Sequence, residues 1–421
     1  MIEYKECRLD NGLTVLASRD EWSRMAAVNL LYRAGSVDEQ PDCTGIAHLF
    51  EHLMFRGTRR VPSYDNSVQR ACGESNAFTT NDYTDYYLTL PKESLETALW
   101  LESDRMNGLL FDNRTIEVEK SVVIEEFNQR YLNQPYGDEW HTLRRMVYTV
   151  HPYRWPTIGL STDQIRNAST ERIRSFYKEF YTPSNAILSV VADCDPQEIF
   201  RLTERWFGGI GSHCLAPRIY PAEPPQRAPR RTELTRERIA SDKITIAFPM
   251  EGRASAQSDE GYNRGFYLCD FLTDILAGGE SSRLYRSMVK EQHLFSSVNA
   301  FITGEVQSGM LVLTGEVGDG VEVRRAEKAL WEQLQQLVTS PPDNYECEKV
   351  RNKFEANTLF GELNVMNKAM NLGYYRFVGN MTLLNGETAI YRTITPEELS
   401  DYIERNLTVE RSSTLIYHRE R

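Results

Sequence analysis

The sequence lacks the features that mark a membrane protein, a disulfide scaffold or a nucleic-acid-binding protein. No stretch approaches the roughly 20 consecutive apolar residues that span a bilayer, and the mean hydropathy is -0.50. The seven cysteines include no Cys-x-x-Cys pair, which favours reduced thiols over a disulfide framework. Acidic residues outnumber basic ones by 60 to 48, for a net charge of -12, and no basic stripe stands out. We therefore expect neither a membrane nor a nucleic acid as a partner.

The first residues, MIEYKECRLDNGLTVLAS, also lack the pattern of a targeting segment. They contain neither a basic stretch followed by an apolar one nor the Arg-rich, acid-poor bias of a transit peptide. We expect a cytoplasmic chain from which nothing is removed. At 421 residues the chain is too long for one ordinary hydrophobic core, which indicates two or more domains.

The most informative feature that is present is a His-x-x-Glu-His motif, formed by His48, Glu51 and His52. On a helix, positions i, i+3 and i+4 share one face, so two imidazoles and a carboxylate converge on one spot. Such a spot suits a zinc ion. With only 7 histidines in the chain, the motif is expected by chance in roughly 1 of 100 such sequences. The alternative is a helix whose histidines only cap it or fill a core.

A catalytic zinc ion usually takes three protein ligands and leaves one position open, so a third ligand must come from elsewhere. The segment NRTIEVEKSVVIEEFNQRYL reads as a second helix with four acidic residues, Glu117, Glu119, Glu125 and Glu126. Glu119 and Glu126 are seven positions apart, or two turns, and therefore face the same side. Most acidic side chains on helices are simply solvated, and this is the expectation for Glu117 and Glu125.

Capping residues indicate where the two helices begin and end. Asp42 or Thr44 is expected to cap the start of the motif helix, and Gly57 to end it. Asn113 or Thr115 is expected to cap the second helix.

These residues resemble the pitrilysin/insulysin-type zinc peptidases, the inverzincin group that includes mitochondrial processing peptidase and bacterial heterodimeric members. That family pairs His-x-x-Glu-His with a distant Glu-(x)6-Glu segment, here Glu119 to Glu126. The resemblance implies one zinc ion per chain, held by His48, His52 and Glu126, with Glu119 as a supporting carboxylate behind the ligands. Glu125 is the alternative third ligand if the helix phase is shifted by one residue.

A third segment of the same family lies between these two. Asn76, Ala77 and Phe78, followed by Thr79, resemble the family's Asn-Ala-(Phe/Tyr)-Thr sequence. In the family this is an edge strand that pairs with an extended substrate backbone by β-augmentation. An Asn side chain can both donate to and accept from a peptide group, so Asn76, Ala77 and Phe78 are predicted to bind substrate. The alternative is an ordinary strand and turn.

A Pro-rich linker divides the chain into two similar halves. We predict a metal-binding catalytic domain over residues 1–215, a linker over 216–235, and a related domain without metal ligands over 236–421. Strands are expected at Leu13 to Ser18, Ala26 to Tyr32, Tyr86 to Leu90, Lys243 to Phe248 and Met310 to Glu316. Strands mix with helices in each half, which indicates an α+β fold with a mostly antiparallel sheet covered by helices in each domain. The family resemblance implies the same two domains, packed around a cavity.

The two halves resemble each other in their order of helices and strands, which indicates an internal repeat. A helix-to-strand pattern beginning at Ser169 recurs from Thr395. The second half repeats the motif helix without its ligands: at the positions of His48, Glu51 and His52 it carries Asp270, Thr273 and Asp274. We therefore expect only the first half to bind metal.

The chain departs from the family at two positions of the second half. Single-chain and homodimeric members carry an Arg and a Tyr that contact substrate at the metal site, whereas this chain has Val289 and Ser296. A valine cannot orient a carbonyl or stabilise an oxyanion. The resemblance therefore implies a heterodimer with a related chain that lacks His-x-x-Glu-His but carries the Arg/Tyr pair. The alternatives are a different alignment, or replacement by Lys290, Tyr285 or His293.

The function predicted from the sequence is that of a zinc metalloendopeptidase. It would hydrolyse oligopeptides or unfolded segments in an enclosed cavity, with Glu51 taking a proton from the attacking water and passing it to the leaving amine. One alternative is a catalytically silent assembly or structural subunit, like the family's respiratory-complex core proteins; the intact motif argues against it. The other is a non-hydrolytic peptide-binding module, which would not need Glu51.

Overall fold

The computed structural model describes residues 1–110, 112–253 and 261–420, and two sheets with their covering helices account for most of these ranges. The strands are β1 (Lys5–Arg8), β2 (Thr14–Arg19), β3 (Met25–Tyr32), β4 (Glu74–Thr79), β5 (Thr84–Pro91), β6 (Ala186–Ala192), β7 (Arg230–Arg236), β8 (Lys243–Met250), β9 (Phe295–Ile302), β10 (Gly309–Val317) and β11 (Ser413–Arg419). The α-helices are α1 (Ile46–Leu53), α2 (Tyr64–Arg70), α3 (Leu95–Asn107), α4 (Asn113–Phe127), α5 (Glu139–Val147), α6 (Thr162–Asn167), α7 (Thr170–Phe180), α8 (Pro196–Phe207), α9 (Arg264–Ala277), α10 (Val323–Thr339), α11 (Asn344–Gly361), α12 (Val365–Val378), α13 (Leu383–Arg392) and α14 (Pro396–Asn406). None of the helices in these ranges combines the length and apolar character that crossing a bilayer requires.

The first sheet has six strands in the order β1-β2-β6-β3-β5-β4. Only the β2–β6 pairing is parallel, and the other four are antiparallel. β4 pairs with β5 alone among the described strands and so lies at the edge of the sheet. The strand that carries Asn76, Ala77 and Phe78 is therefore an edge strand, as the family resemblance implies.

The second sheet repeats this arrangement with five strands, in the order β7-β11-β8-β10-β9. Its one parallel pairing, β7–β11, corresponds to β2–β6 of the first sheet, and its other pairings are antiparallel. The strand order of the two sheets is the same once β1 is set aside. The predicted α+β fold, with two related and mostly antiparallel sheets, is thus confirmed.

A short sequence repeat at the two corresponding edge strands, which the sequence analysis missed, supports the internal repeat. β9 contains Asn299-Ala300-Phe301, in the place of Asn76-Ala77-Phe78 of β4. In both strands the Asn side-chain oxygen accepts the backbone N–H of the following Ala, at 2.8 Å in β4 and 2.9 Å in β9. The same local conformation therefore occurs in both halves.

The chain forms two compact units that are discontinuous in sequence. The first comprises residues 1–129, 155–220 and 359–385, and the second comprises 130–154, 221–358 and 386–421. In the first unit, α12 packs on β3 and β6 although it lies near the end of the chain; in the second, α5 packs on β8 and β11. Each unit thus includes a helix from the other half of the sequence. The predicted division into residues 1–215, 216–235 and 236–421 stays a prediction about the internal repeat.

The core of the first unit surrounds its central strands. Every residue of β6 is buried, so both faces of the sheet are covered at that point. Gly373 of α12 lets the helix approach β3 closely, because a Cβ atom at this position would lie 2.6 Å from the side-chain oxygen of Asn29. Helices α3, α8 and α12 pack on this sheet, and α1 and α2 contact its edge strand β4.

The second unit has its own core. Ile244, Ile246 and Phe248 of β8 pack in one hydrophobic cluster with Phe271 and Leu272 of α9. The alternation of these β8 side chains along the strand places all three on the same face of the sheet.

Candidate metal centre and active site

Helix α1 carries the His-x-x-Glu-His motif, and a buried glutamate side chain holds its N-terminus. The residue before the helix, Gly45, has φ of 91°, and a Cβ atom there would lie 2.7 Å from the carbonyl oxygen of Ile158. Only glycine fits this left-handed, crowded position. The side chain of Glu39 accepts the backbone N–H of Gly45 at 2.9 Å and that of Ala47 at 2.8 Å. Glu39 thus satisfies donors that a helix start otherwise leaves unpaired.

The caps predicted from the sequence are wrong for both helices of the site. Asp42 forms an ion pair with Arg172, and the hydroxyl of Thr44 bonds to the side chain of Gln164, so neither caps α1. Helix α4 begins at Asn113, but its cap is Asp112, whose carboxylate accepts the N–H of Thr115 at 2.7 Å. Asp112 lies one residue before the segment from Asn113 that predicts the second helix, whereas Glu39 lies too far upstream of α1 for a local capping pattern to indicate it.

The apolar face of α1 fixes the direction of the motif. Phe50 stacks against Phe176 and Tyr177 of α7, with ring centroids 5.7 and 5.9 Å apart. With this face in the core, the motif residues project from the opposite side and keep only small exposed fractions. These are 12% for the His48 side chain, 17% for Glu51 and 23% for His52.

Helix α4 brings its carboxylates to α1 because its own apolar residues are buried. Ile116, Val123 and Phe127 lie in the core. Glu119 and Glu126, two turns apart, then face α1, and their side chains are 1% and 18% exposed. The pairing of these two glutamates on one helix face agrees with the sequence prediction.

The three predicted ligands meet in one place. His48 Nε2 lies 3.1 Å from Glu126 Oε2, and His52 Nε2 lies 3.3 Å from the same oxygen. One candidate ligand atom from each residue lies within 4.8 Å of the other two, and no other group of this kind occurs among the described residues. The candidate ligand atoms are thus Nε2 of His48, Nε2 of His52 and Oε2 of Glu126.

The distances of this cluster fit zinc. With Zn–N and Zn–O bonds of about 2.0–2.2 Å, the ligand atoms of a tetrahedral site lie about 3.3–3.5 Å from one another. The two separations of 3.1 and 3.3 Å from Glu126 are close to this edge length. Two imidazoles and one carboxylate also match a donor set known from catalytic zinc sites. The residue types and the two separations from Glu126 therefore suit the ion, with all three ligand atoms within 4.8 Å of one another.

A second carboxylate lies behind each histidine. His48 Nδ1 is 3.3 Å from Glu51 Oε2, and His52 Nδ1 is 3.7 Å from Glu119 Oε2. Glu119 also forms an ion pair with Arg56. Carboxylates in this position orient metal-binding imidazoles and fix the tautomer that leaves Nε2 free for the ion.

The other acidic residues of α4 do not reach the cluster. Glu125 is exposed and accepts a hydrogen bond from Gln129 at 3.2 Å. Glu117 pairs with Lys120 at 2.8 Å. The structure therefore brings Glu126, and not Glu125, to the two histidines.

Thr79 is a contact of Glu51 to which the sequence analysis gave no role. Its hydroxyl donates to Glu51 Oε2 at 2.6 Å. Thr79 is the last residue of β4, and it follows Asn76-Ala77-Phe78 directly in the chain. Its position directly after Asn76-Ala77-Phe78 was the one sequence signal that could have indicated a role for Thr79. Its contact with α1 depends on how the strand packs against the helix.

Charges within the cluster shift two pKa values in opposite directions. Burial disfavours a charged His48, but hydrogen bonds with Glu126 and Glu51 outweigh it and raise the pKa of His48 to about 9. Burial also acts to raise the pKa of Glu51, but its hydrogen bond with His48 prevails, and the pKa of Glu51 is lowered. Without metal, these shifts favour a protonated His48 beside an ionised Glu51.

The predicted substrate residues lie beside this cluster. Asn76 is exposed and lines a cavity of about 310 Å³ together with Glu51, His52, Phe55, Arg56, Asp65 and Glu119. Ala77 is buried, and the half-buried ring of Phe78 contacts those of Tyr83 and Tyr87, with centroids 5.9 and 6.2 Å away. Asn76 thus reaches the site, while Ala77 and Phe78 contribute the backbone of the edge.

In the second unit, helix α9 occupies the place of α1, between β8 and β9. Asp270 accepts a hydrogen bond from Tyr391 at 2.5 Å, and Asp274 forms an ion pair with Lys353 at 2.5 Å. The carboxylates aligned with His48 and His52 are therefore engaged in pairs within their own unit.

Comparison with known proteins places these features in a family. Residues 14–144 match the sequence profile described as insulinase (peptidase family M16), and residues 167–354 match the one described as peptidase M16 inactive domain. The chain belongs to peptidase family M16. The resemblance drawn from the motifs is thus confirmed.

Individual relatives agree with this assignment. Zinc protease PqqE of Helicobacter pylori is 29% identical over 299 residues, which cover 70% of this chain and 65% of that protein. The crystal structure of a protease from Helicobacter pylori has the same fold, with a TM-score of 0.90 and 24% identity, and the match covers 99% of this chain and 100% of that chain. The sequence match with PqqE spans 65% of that protein, which is less than two-thirds of its length.

The fold of this chain corresponds to about half of a longer relative. The crystal structure of pitrilysin matches with a TM-score of 0.78 and 16% identity, covering 100% of this chain but 45% of the pitrilysin chain.

Proposed function

We propose that this chain is a zinc metalloendopeptidase of family M16 that acts on oligopeptides or unfolded segments. The observation that carries the proposal is the convergence of His48, His52 and Glu126 on one point, with Glu51 beside it. A silent structural subunit has no need of three ligands at zinc spacing, nor of a carboxylate next to them.

His48, His52 and Glu126 would hold one zinc ion, and Glu119 would orient His52. When bound, zinc polarises the scissile carbonyl and makes a water molecule a better nucleophile. Glu125 stays outside this set because it is exposed and bonded to Gln129.

Glu51 is the proposed general base. Its carboxylate is held beside the candidate ligands by Thr79 at 2.6 Å and His48 at 3.3 Å, where it can accept a proton from the attacking water. It takes the proton from the attacking water and then donates it to the leaving amine. A non-hydrolytic peptide-binding module would have no use for this carboxylate beside the candidate metal ligands.

The free edge of β4 would hold the substrate. An extended peptide adds to such an edge through main-chain hydrogen bonds, which accept many sequences. In the free protein Asn76 Oδ1 occupies the N–H of Ala77, so an arriving peptide can take over this N–H and release the Asn carboxamide to bond with it. This exchange favours Asn76 as the clamp over an ordinary turn former.

We also propose that a related partner subunit completes the enclosed cavity and supplies the Arg/Tyr pair. Two observations support it. Val289 packs against the core of the second unit and Ser296 is an exposed serine of β9, so neither provides a cationic donor. This chain also matches only 45% of the pitrilysin chain. The cytoplasmic location stays a prediction.

The decisive experiment is hydrolysis of a quenched-fluorescence oligopeptide by the chain, purified with any subunit that accompanies it, with and without a zinc chelator. We expect hydrolysis that the chelator abolishes and added zinc restores. Glu51→Gln should retain zinc and fold but lose activity by several orders of magnitude, because the water loses its proton acceptor. Near wild-type hydrolysis by Glu51→Gln would refute the mechanism.

A further inference from the structure

We propose that Thr79 is a positioning residue that fixes the orientation of Glu51 and links it to the strand that pairs with the peptide. The proposal rests on the function proposed above, since it concerns the same base and the same strand. It assigns a role to a hydroxyl that the spacing of the His-x-x-Glu-His motif does not identify.

The first argument is the geometry around the Glu51 carboxylate. The Thr79 hydroxyl lies 2.6 Å from Oε2, and His48 Nδ1 lies 3.3 Å from this same oxygen. Oε2 is thus held from two sides, by an element of the sheet and by the helix itself. The second oxygen, Oε1, is then the one that accepts the proton of the attacking water. Without the hydroxyl, only the contact within α1 would determine the rotamer of Glu51.

The second argument is that Thr79 itself has little freedom. Its β-branched side chain has few χ1 rotamers, and its backbone pairs with Thr84 of β5. The turn that follows is tied by Thr80, whose N–H donates to the carbonyl of Tyr83 at 2.8 Å and whose hydroxyl accepts the N–H of Tyr83 at 3.0 Å. The hydroxyl of Thr79 is therefore presented from a fixed point, as a positioning group requires.

The third argument concerns the strand itself. Side chains alternate along a strand, so Ala77 and Thr79 face one side while Asn76 and Phe78 face the other. Ala77 is buried and Thr79 reaches α1, so this side of β4 is the one that touches the catalytic helix. A peptide that pairs with the edge at Asn76 and Ala77 stiffens the same strand that carries Thr79. Pairing of substrate and orientation of the base are therefore linked through three residues of backbone.

The test compares Thr79→Val, which keeps the shape of the side chain but removes the hydroxyl, with Thr79→Ser, which keeps the hydroxyl. For the oligopeptide substrate we expect Thr79→Val to lower kcat about 10- to 100-fold, as loss of a hydrogen bond to a charged group would. The KM should stay within about twofold, since the peptide edge is intact. Thr79→Ser should recover most of the lost kcat.

Thr84→Val is the matched control. Thr84 is the cross-strand neighbour of Thr79, it is fully buried, and its hydroxyl donates to the carbonyl of Ala34 at 2.8 Å. This variant removes a threonine hydroxyl from the same strand pair without touching Glu51. It should lower the temperature of unfolding and leave kcat close to that of the wild type. A kcat loss in Thr84→Val equal to that in Thr79→Val would show a merely structural effect and overturn the proposal.

Two further measurements test the role of Thr79. The first does not depend on turnover, and the second isolates the effect on Glu51. Thr79→Val should bind a labelled oligopeptide as tightly as the wild type by fluorescence anisotropy, and its zinc content should be unchanged. In the Glu51→Gln background, adding Thr79→Val should cause no further loss of residual rate, because Thr79 acts only through Glu51. Additive losses, or an unchanged kcat in Thr79→Val, would refute the role of Thr79. Absence of hydrolysis by the wild type with its accompanying subunit would instead refute the proposed function.

Discussion

The side-chain carboxyl group of Glu39 accepts the backbone N–H of Ala47 at 2.8 Å, from eight positions upstream in the chain. Glu39 is 5% exposed, and its other oxygen accepts the N–H of Gly45. A helix of eight residues has few internal hydrogen bonds of its own. The fixed direction of α1, and with it that of His48 and His52, therefore depends on a side chain outside the motif.

We predict that Glu39→Gln destabilises the first unit and weakens zinc binding. The amide offers one acceptor oxygen in place of two, so one N–H at the start of α1 meets an NH2 group, at a cost of about 1–3 kcal/mol. Denaturant unfolding and zinc titration measure the two effects. Glu21→Gln, at an exposed glutamate, serves as the control and should change neither. If Glu39→Gln binds zinc as the wild type does, Glu39 is not needed to position the helix.

The same residue should give a pH dependence of stability. Burial raises the pKa of Glu39 from 4.5 to about 8, against the opposing effect of the two N–H donors. A group whose pKa is raised on folding stabilises fully below its unfolded value and loses this contribution as pH rises through the folded value. The wild type should therefore lose more stability between pH 4.5 and 8 than Glu39→Gln does. Parallel curves for the two proteins would contradict the shift.

Glu126→Gln and Glu125→Gln form a second, closely matched pair. The two glutamates are adjacent on α4, but Glu126 lies 3.1 and 3.3 Å from the histidines whereas Glu125 bonds to Gln129. Replacing a ligating carboxylate by a neutral amide should remove most of the zinc, and elemental analysis should show about one ion per wild-type chain. Glu125→Gln should keep its zinc. The reverse result would move the third ligand by one residue.

The sequence predicts those parts of the fold that follow from local patterns. The apolar run from Lys243 to Phe248 predicts a strand, and the structure has one over Lys243–Met250. The repeat of helix-to-strand patterns likewise predicts two related sheets. The packing of α12 on β3 and β6 was not predicted, because it joins segments more than 170 residues apart and local periodicity contains no such information.

The same distinction holds for the candidate site. His48, Glu51 and His52 are fixed by spacing on one helix, and Glu126 follows from a two-turn spacing combined with the family resemblance. Glu39 and Thr79 come from a loop and a strand, and only the packing of these elements against α1 brings their oxygens into contact with it. Residues that orient a site from other elements are, for this reason, found only from the structure.

Zinc binding should release a proton and strengthen as pH rises. Hydrogen bonds with Glu126 and Glu51 raise the pKa of His48 to about 9 in the metal-free cluster, so the ion must displace a proton from His48 at any lower pH. The apparent affinity should therefore fall about tenfold for each pH unit below 9, or about a hundredfold between pH 8.5 and 6.5. Calorimetry in buffers of different ionisation enthalpy measures the released proton directly. An affinity that is constant between pH 7 and 9 would show that His48 is already neutral.

The free energy of unfolding of the metal-free protein should change with pH in the opposite sense and fall as pH rises. The raised pKa of His48 contributes stability that is fully present below pH 6.5 and lost as pH rises through about 9. Zinc should reverse this trend, because it binds the folded state more tightly at higher pH.

The last prediction concerns the partner subunit. Hydrolysis needs a donor for the developing oxyanion in addition to the metal and the base. Val289 packs against the core of the second unit, and Ser296 donates to the carbonyl of Glu316 at 3.3 Å, so neither residue can replace the Arg/Tyr pair of the family. Lys290 is half exposed and paired with Glu280 at 2.8 Å.

We therefore predict that the isolated chain binds zinc but hydrolyses oligopeptides poorly. Addition of a related chain that carries Arg and Tyr at the matching positions should restore the rate, and Ala in place of that Arg should abolish it again. Full activity of a partner-free preparation would disprove the heterodimer. Lys290→Ala, Tyr285→Phe and His293→Ala would then show which local side chain acts as the donor.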